Sequence, residues 1–346
     1  MTSISFRNDY SEGAHPHILE RLIQTNLQQE EGYGEDNFCI RAKNLILQKL
    51  GTQKSDIHFV SGGTQANLIF ISSVLKPYES VIACTTGHIV VHETGAIEAT
   101  GHKINTVQTN DGKLTPSDIQ PVLDFHTDEH MVKPRLVYIS NSTETGSIYS
   151  KVELTALSEF CREKKLLLYM DGARLASALT SKYNDLVLAD LAILTDAFYI
   201  GGTKNGALIG EAIVINNQDL TKNFRYSIKQ KGALLAKGRI LGIQFLELFE
   251  NELFFELGKK ANMLAEQLSE GIENFGYQLI SPTVSNQVFP VLPNNVIEKL
   301  SQKFGFYIWS KIDEQHSSIR LVTSWASKEE SVDLLIKELQ KIRSGK

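Results

Sequence analysis

The chain has little of what marks a specialised class of protein. Cysteine is scarce: Cys39, Cys84 and Cys161 are the only three in 346 residues, and they stand in no metal-ligand spacing. A disulfide framework and a cysteine-built zinc site are thereby excluded, and reduced thiols in a cytosol fit best. Long apolar runs are absent, since none approaches the ~20 residues that a membrane helix requires. Met1-Thr2-Ser3-Ile4-Ser5-Phe6-Arg7 lacks the apolar core of a secretory signal, so a cytoplasmic location is expected. Basic charge is not in excess: 35 Lys and Arg stand against 40 Asp and Glu, for a formal net charge of -5. Neither nucleic acid nor a membrane surface is therefore expected as a partner. No internal repeat and no low-complexity tract is found. What remains is an ordinary globular composition, 42% hydrophobic and 22% charged, at a length that predicts one large domain and a smaller one.

From about Ile57 to Asn216 short apolar runs alternate with helix-like stretches. The pattern predicts strands at Ile57–Val60, Ser80–Cys84, Ile104–Thr106, Arg135–Ser140, Leu166–Met170, Leu191–Thr195 and Ala212–Ile215. Helices are expected between them, including Thr64–Leu75, with Thr64 placed to begin it, and Val152–Lys164. Such alternation argues for an α/β fold, a mostly parallel sheet covered by helices on both faces. A long helical region then covers roughly 219–274, interrupted by Gly232, Gly238, Gly242 and Gly258. Strand-like runs follow at Tyr277–Ile280, Gln287–Val291, Phe306–Trp309 and Ile319–Val322, and the helical stretch Lys328–Ile342 closes the chain. This tail reads as a separate α+β layer, giving an expected large domain at 1–245 and a small C-terminal one at 246–346.

The most informative stretch is Ile200-Gly201-Gly202-Thr203-Lys204-Asn205-Gly206, which sets one lysine among small residues after the apolar run Leu191–Ile200. Holding an ammonium near a protein interior is costly, and the glycines leave room for a flat ligand against the backbone. Upstream, Leu166–Met170 reads as a buried strand whose end delivers the carboxylate of Asp171. A lysine and an aspartate at neighbouring strand ends are what pyridoxal 5'-phosphate (PLP) needs, one for the imine and one for the pyridinium nitrogen. Asp171 also suits the N-cap of a helix beginning near Ala173.

Ser61-Gly62-Gly63-Thr64 lies between a strand and a helix, where backbone N–H groups and the helix N-terminus could cradle a phosphate; it is also ordinary turn chemistry. His88 and His92 stand four apart and share a face if helical, followed at once by Glu93. A zinc pair is the other reading, but HExxH is absent and no third ligand is evident, so no metal is expected. Glu144 sits on a strand-end loop, where open α/β sheets carry ligands, or is simply solvated there. Arg320 interrupts the apolar strand Ile319–Val322 and suits a bidentate grip on a carboxylate, or lies on the wet face of an edge. Tyr33, between Gly32 and Gly34, is a displayed loop aromatic.

Together these segments resemble the threonine aldolase and β-eliminating lyase family of PLP enzymes, whose fold is aspartate aminotransferase-like (fold type I). The resemblance covers nearly the whole chain. It is carried most by Gly62-Gly63-Thr64-Gln65-Ala66-Asn67, Asp171-Gly172-Ala173-Arg174-Leu175 and Gly201-Gly202-Thr203-Lys204-Asn205-Gly206, and less by Asn8-Asp9, Gly32-Tyr33-Gly34, Asp111-Gly112-Lys113-Leu114 and Arg320-Leu321-Val322-Thr323. It implies that Lys204 carries the cofactor, Asp171 faces the pyridine nitrogen and His88 stacks on the ring. Gly62, Gly63, Thr64, Arg174 and Thr203 would complete the cofactor site. Arg174, Arg320 and Asn8 would receive the substrate carboxylate, and Tyr33 would reach a neighbouring subunit's site in a homo-oligomer, a dimer of dimers. The implied reaction cleaves a β-hydroxy-α-amino acid of the threonine, allo-threonine or phenylserine type to glycine and an aldehyde. β-Elimination is the runner-up, and a PLP-fold subunit without turnover the third reading. Many threonine aldolases carry a histidine where this chain has Glu144, and an aromatic residue where it has His92. Of the two as proton acceptor, His92 is expected, because its ordinary pKa already suits the task.

Overall fold

The structure is a computed structural model describing residues 4–344. In chain order it runs β1 (Ile4–Ser5), α1 (Pro16–Gln24), α2 (Asn37–Leu50), β2 (Asp56–Val60), α3 (Gly63–Val74), β3 (Glu79–Cys84), α4 (His88–Val91), β4 (Ile104–Val107), α5 (Pro116–Phe125), β5 (Lys133–Ser140), α6 (Lys151–Glu163), β6 (Leu167–Asp171), α7 (Leu175–Thr180), α8 (Leu188–Leu194), β7 (Ala197–Gly201) and β8 (Glu211–Ile215). Helices α9 (Phe224–Gln230), α10 (Arg239–Glu250) and α11 (Leu253–Glu273) lead to the C-terminal layer. That layer comprises β9 (Gln278–Leu279), β10 (Gln287–Val288), β11 (Pro290–Pro293), α12 (Asn294–Ser301), β12 (Phe304–Gly305), β13 (Tyr307–Lys311), β14 (His316–Val322) and α13 (Glu329–Arg343).

The large sheet has the order β2-β8-β7-β6-β5-β3-β4. It is parallel from β4 through β7, and β8 runs antiparallel to both β7 and β2. The C-terminal ends of β2, β5, β6 and β7 therefore share one edge with the first residue of antiparallel β8. Side chains alternate between two cores. Leu168, Met170, Phe198 and Ile200 face the side covered by α2, α6, α8 and α10, while Leu167, Tyr169, Ala197 and Tyr199 face Ile69 and Phe70 of α3. Both faces are thus dry, as a mostly parallel sheet requires. A third core gathers Leu264, Leu268, Leu292, Ile319 and Leu335 with Phe6 and Phe304, and β1 pairs with β12.

Two expectations are corrected. Leu191–Thr195 is not a strand: Leu188–Leu194 is a helix, and the strand is Ala197–Gly201. The Asp190 carboxylate accepts the Val187 N–H at 3.0 Å and starts the helix, which buries Leu188 and Leu191 and leaves Ile193 exposed, a helical spacing. Gly242 and Gly258 do not interrupt helices but lie within α10 and α11. A Cβ on Gly242 would stand 2.5 Å from Cys39 Sγ, and one on Gly258 would stand 2.6 Å from the Ala176 carbonyl oxygen. These glycines allow close helix crossings.

Candidate active site

Asp171 ends β6, and the two-residue period turns it to the α3 side, with Leu167 and Tyr169. The same period puts Tyr138 of β5 and Tyr199 of β7 on that side. Their hydroxyls donate to the two oxygens of Asp171, Tyr138 to Oδ2 at 2.6 Å and Tyr199 to Oδ1 at 2.5 Å. Asn67 Nδ2 adds a bond to Oδ2 at 3.1 Å, and the Ala173 N–H one to Oδ1 at 3.0 Å. Burial alone would raise the pKa of Asp171, but His88 and these donors outweigh it and hold the carboxyl below its ordinary range. A buried anion held this way can keep a heterocyclic nitrogen protonated.

Asn67 Nδ2 also donates to Glu93 Oε1 at 2.8 Å, and the same oxygen stands 2.8 Å from His88 Nδ1. The chain Asp171–Asn67–Glu93–His88 thus orients the imidazole. His88, Glu93 and Asp171 each offer a ligand atom within 4.8 Å of the others, but hydrogen bonds account for that closeness, and both Asp171 oxygens already take two donors. Glu144 lies across from α4: its Oε1 accepts the His88 main-chain N–H at 3.2 Å and the Ser140 hydroxyl at 3.0 Å. Burial and the Asp171 charge push its carboxyl up. His92 follows α4, exposed, its ring centroid 5.4 Å from that of His88. Partial burial, the neighbouring His88 ring and the charges of Arg320, Lys204 and Arg174 push its imidazole down from the ordinary value, so its neutral form prevails at neutral pH.

Lys204 follows β7 in a loop closed by the Gly210 N–H, which donates to Thr203 Oγ1 at 3.0 Å. Burial and Arg174 lower its pKa, while Asp9, Asp171 and Glu211 oppose the shift. An amine so placed is nearer its free-base, nucleophilic form than a surface lysine. Its ammonium lies 6.0 Å from the Tyr10 ring centroid.

Arg174 is half-buried and already gripped: Nε and Nη2 donate to Asp9 Oδ2 and Oδ1 at 2.8 and 3.1 Å, and Asn286 Nδ2 donates to Asp9 Oδ2 at 3.0 Å. Arg320 is freer. Its guanidinium carbon lies 5.1 Å from the Trp309 ring centroid and 5.8 Å from that of Tyr307, and its buried Nε has no hydrogen-bond partner. Burial and Arg174 lower its pKa, placing two cations in mutual range.

At the N-terminus of α3, Gly62 has open space where a Cβ would project, and a Cβ on Gly63 would meet Tyr199 Oη at 2.8 Å. Bare backbone therefore faces the Asp171 pocket at the first turn of a 12-residue helix, with Thr64 next to it. The donor set fits PLP: an anion cradle, a buried carboxylate with its donors, an imidazole and a depressed amine on one sheet edge. Asn8 turns its Oδ1 to the Tyr10 N–H and the Ser11 hydroxyl. Tyr33 is not among these groups. Its contacts are Lys229 over the ring, Arg225 on its carbonyl and Ala236 on its N–H. Sequence reasoning missed Asp9, Tyr138, Tyr199, Glu93 as a partner of His88, and Glu211. The period along the strands Arg135–Ser140 and Leu166–Met170 could have found Tyr138, had strand order been known.

A family model described as beta-eliminating lyase matches residues 6–294. The chain is 33% identical over 348 residues to a low specificity L-threonine aldolase of Pseudomonas sp., with 99% of each chain covered. It is 32% identical over 338 residues to one of Pseudomonas aeruginosa, covering 97% of this chain and 96% of that protein. A solved threonine aldolase of Leishmania major shares 50% identity at a TM-score of 0.97, covering 98% of this chain and 99% of that one. Thermus thermophilus aspartate aminotransferase, at 15% identity and a TM-score of 0.71, shares the fold over 98% of this chain and 91% of its own.

Proposed function

The chain belongs to the beta-eliminating lyase family, and from that premise we propose that it is a PLP-dependent carbon–carbon lyase splitting a β-hydroxy-α-amino acid of the threonine type into glycine and an aldehyde. The observation that carries this reading is the half-buried Lys204, its amine within the field of the buried, donor-saturated Asp171. Lys204 would hold the cofactor, Asp171 its ring nitrogen, His88 its ring face, and the turn Gly62-Gly63-Thr64 its phosphate. PLP supplies the electron sink that takes up the pair left on Cα.

The protein's own part is binding and proton handling. Arg320 takes the substrate carboxylate, supported by what remains of the Arg174 fork beyond Asp9 and by Asn8. His92, its pKa lowered by partial burial and by nearby charges, takes the β-hydroxyl proton as the Cα–Cβ bond breaks and the aldehyde carbonyl forms. Glu144 anchors α4 and so aims both histidines. We assign activity to a cytoplasmic homo-oligomer in which Tyr33 serves a neighbouring copy. Support comes from the apolar side chains that α1 and its following loop leave in water, Leu19, Ile23 and Leu27, exposed by 42, 76 and 92%.

The test combines two readouts. Borohydride should fix PLP to the peptide containing Lys204, and a panel of threonine, allo-threonine and phenylserine isomers should yield glycine plus aldehyde. A label on another lysine, or keto-acid and ammonia in place of glycine, would overturn the reading.

A further inference from the structure

Arg320 enters the site with no acceptor of its own. Its buried Nε has no hydrogen-bond partner, and among the described residues its guanidinium makes no ion pair. What lies against it is a pair of rings from the neighbouring strand. Ile319 and Leu321 of β14 turn to the third core, so Arg320 between them takes the other face of the small sheet. Tyr307 of β13 is its partner in the antiparallel pairing and shares that face. The register then shifts: Ile308 pairs with Ile319 but Ser310 with Ser318, which leaves Trp309 as the extra residue of a β-bulge. The bulge brings a second ring to the same cation, the guanidinium carbon lying over the Trp309 ring at 5.1 Å and over Tyr307 at 5.8 Å. Trp309 is backed in turn by the ring of Phe289, centroid to centroid at 5.1 Å. Phe289 is buried against Gly146, where an added Cβ would stand 3.0 Å from its Cε2. The indole therefore has a wall behind it that reaches the loop carrying Glu144.

We propose that Trp309, with Tyr307 as the weaker partner, is the positioning residue of the substrate-carboxylate site. An arginine can be oriented by a carboxylate or by an aromatic face, and the two leave different things free. A carboxylate takes up the N–H edge and the charge, as Asp9 does with Arg174. A ring attracts the guanidinium through its plane and leaves the N–H edge unspent. Arg320 is held in the second way, so its fork and its charge both remain available to the carboxylate of an α-amino acid. Trp309 acts through Arg320 and does not itself touch the ligand.

The proposal rests on Arg320 taking the substrate carboxylate, and the experiment separates the two. Holoenzyme is titrated with glycine by calorimetry, and steady-state constants are taken on threonine. Trp309→Leu should weaken glycine binding by about three- to tenfold, the range of a partly desolvated cation–π contact, with the loss falling on KM rather than kcat. Trp309→Phe keeps an aromatic face and should recover most of the affinity. In an Arg320→Met background Trp309→Leu should cost nothing further, because the cation it orients is gone. Tyr307→Leu, at an exposed position, should show a smaller loss of the same kind, and it serves if Trp309→Leu does not fold. Unchanged glycine binding in Trp309→Leu, an equal loss in the Arg320→Met background, or a loss confined to phenylserine overturns the positioning role while leaving Arg320 in place. Unchanged glycine binding in Arg320→Met overturns the underlying reading and the proposal with it.

Discussion

The main-chain N–H of His88 donates to Glu144 Oε1 at 3.2 Å, so a loop carboxylate at the end of β5 holds the first residue of the turn that carries both site histidines. This relationship separates two roles that the sequence leaves open. Glu144 already has two donors, whereas His92 is exposed and uncharged at neutral pH. His92→Asn should therefore lower kcat by about 10²–10⁴-fold, the usual contribution of a positioned base. Glu144→Gln keeps an acceptor for both donors and should cost far less. Steady-state kinetics on threonine decides, and a collapse in Glu144→Gln with a near-normal His92→Asn reverses the assignment.

The acid limb of the pH profile follows from the same neighbourhood. His92 is pushed down from its ordinary value by burial and by nearby cations, and its basic form is the one present above its pKa. The rise of kcat/KM with pH should thus be centred below ~6.5, the ordinary imidazole value. Arg320→Met removes one of those cations, so His92 should bind its proton more readily and the limb should move to higher pH. A limb that stays in place in the variant would detach His92 from it.

Tyr138→Phe and Tyr199→Phe each take one hydroxyl from Asp171. A hydrogen bond to a charged group is worth about 1.5–3 kcal/mol, and Asp171 has a depressed folded-state pKa. The sign follows from that depression. Stability from the ionised Asp171 is fully present above the unfolded carboxyl's pKa and is lost as pH falls through the lower folded value. Without a donor the folded pKa rises, so acid unfolding followed by circular dichroism should begin at higher pH in both variants. An unchanged acid midpoint would mean that these hydroxyls do not support the charge.

Arg320 and Arg174 should part company on substitution. Arg320→Lys loses a bidentate carboxylate partner on an otherwise intact strand, and amino-acid affinity should fall by about tenfold or more with little change in Tm. Arg174→Lys also leaves buried Asp9 poorly paired, and breaking a buried pair costs about 3–5 kcal/mol. It should lower Tm as well as affinity. Calorimetry and ligand titration of both variants check this, and equal Tm values would show the Asp9 pair to be unimportant for folding.

Lys204, Asp171 and the Gly62-Gly63 turn were legible because each pairs an apolar strand with small residues at its end, a local signal. The helix Leu188–Leu194 was not, because the largely apolar stretch into Ile200 holds a helix and, after Thr195-Asp196, a buried strand, and only strand order says which half enters the sheet. Tyr138, Tyr199, Asp9 and Glu211 were out of reach for a related reason. Each partners a residue that the fold brings near from elsewhere: Tyr138 is 33 positions from Asp171, and Asp9 is 165 from Arg174. Arg174 illustrates the limit best. The family resemblance implies a substrate-carboxylate role for it, and the structure shows that the carboxylate it grips is that of Asp9, the protein's own.

Gly242 offers a test in which helix propensity and packing oppose each other. In a helix interior, Gly→Ala is favourable by about 1 kcal/mol on propensity alone, and Gly242 lies inside α10 with ordinary helical neighbours. Against this, the new Cβ would meet Cys39 at 2.5 Å from Sγ, 2.6 Å from the main-chain nitrogen and 2.8 Å from Cα. The sulfur could rotate away, but the backbone of α2 can yield only by moving the helix. Overpacking of this kind costs about 1–3 kcal/mol, so the clash should win and Gly242→Ala should lower Tm. Gly232→Ala is a poor control because its φ is positive, while Gly13→Ala has open space and no such φ, and should leave Tm nearly unchanged. If Gly242→Ala instead stabilises the protein, α2 and α10 are not as closely crossed as the contact with Cys39 requires.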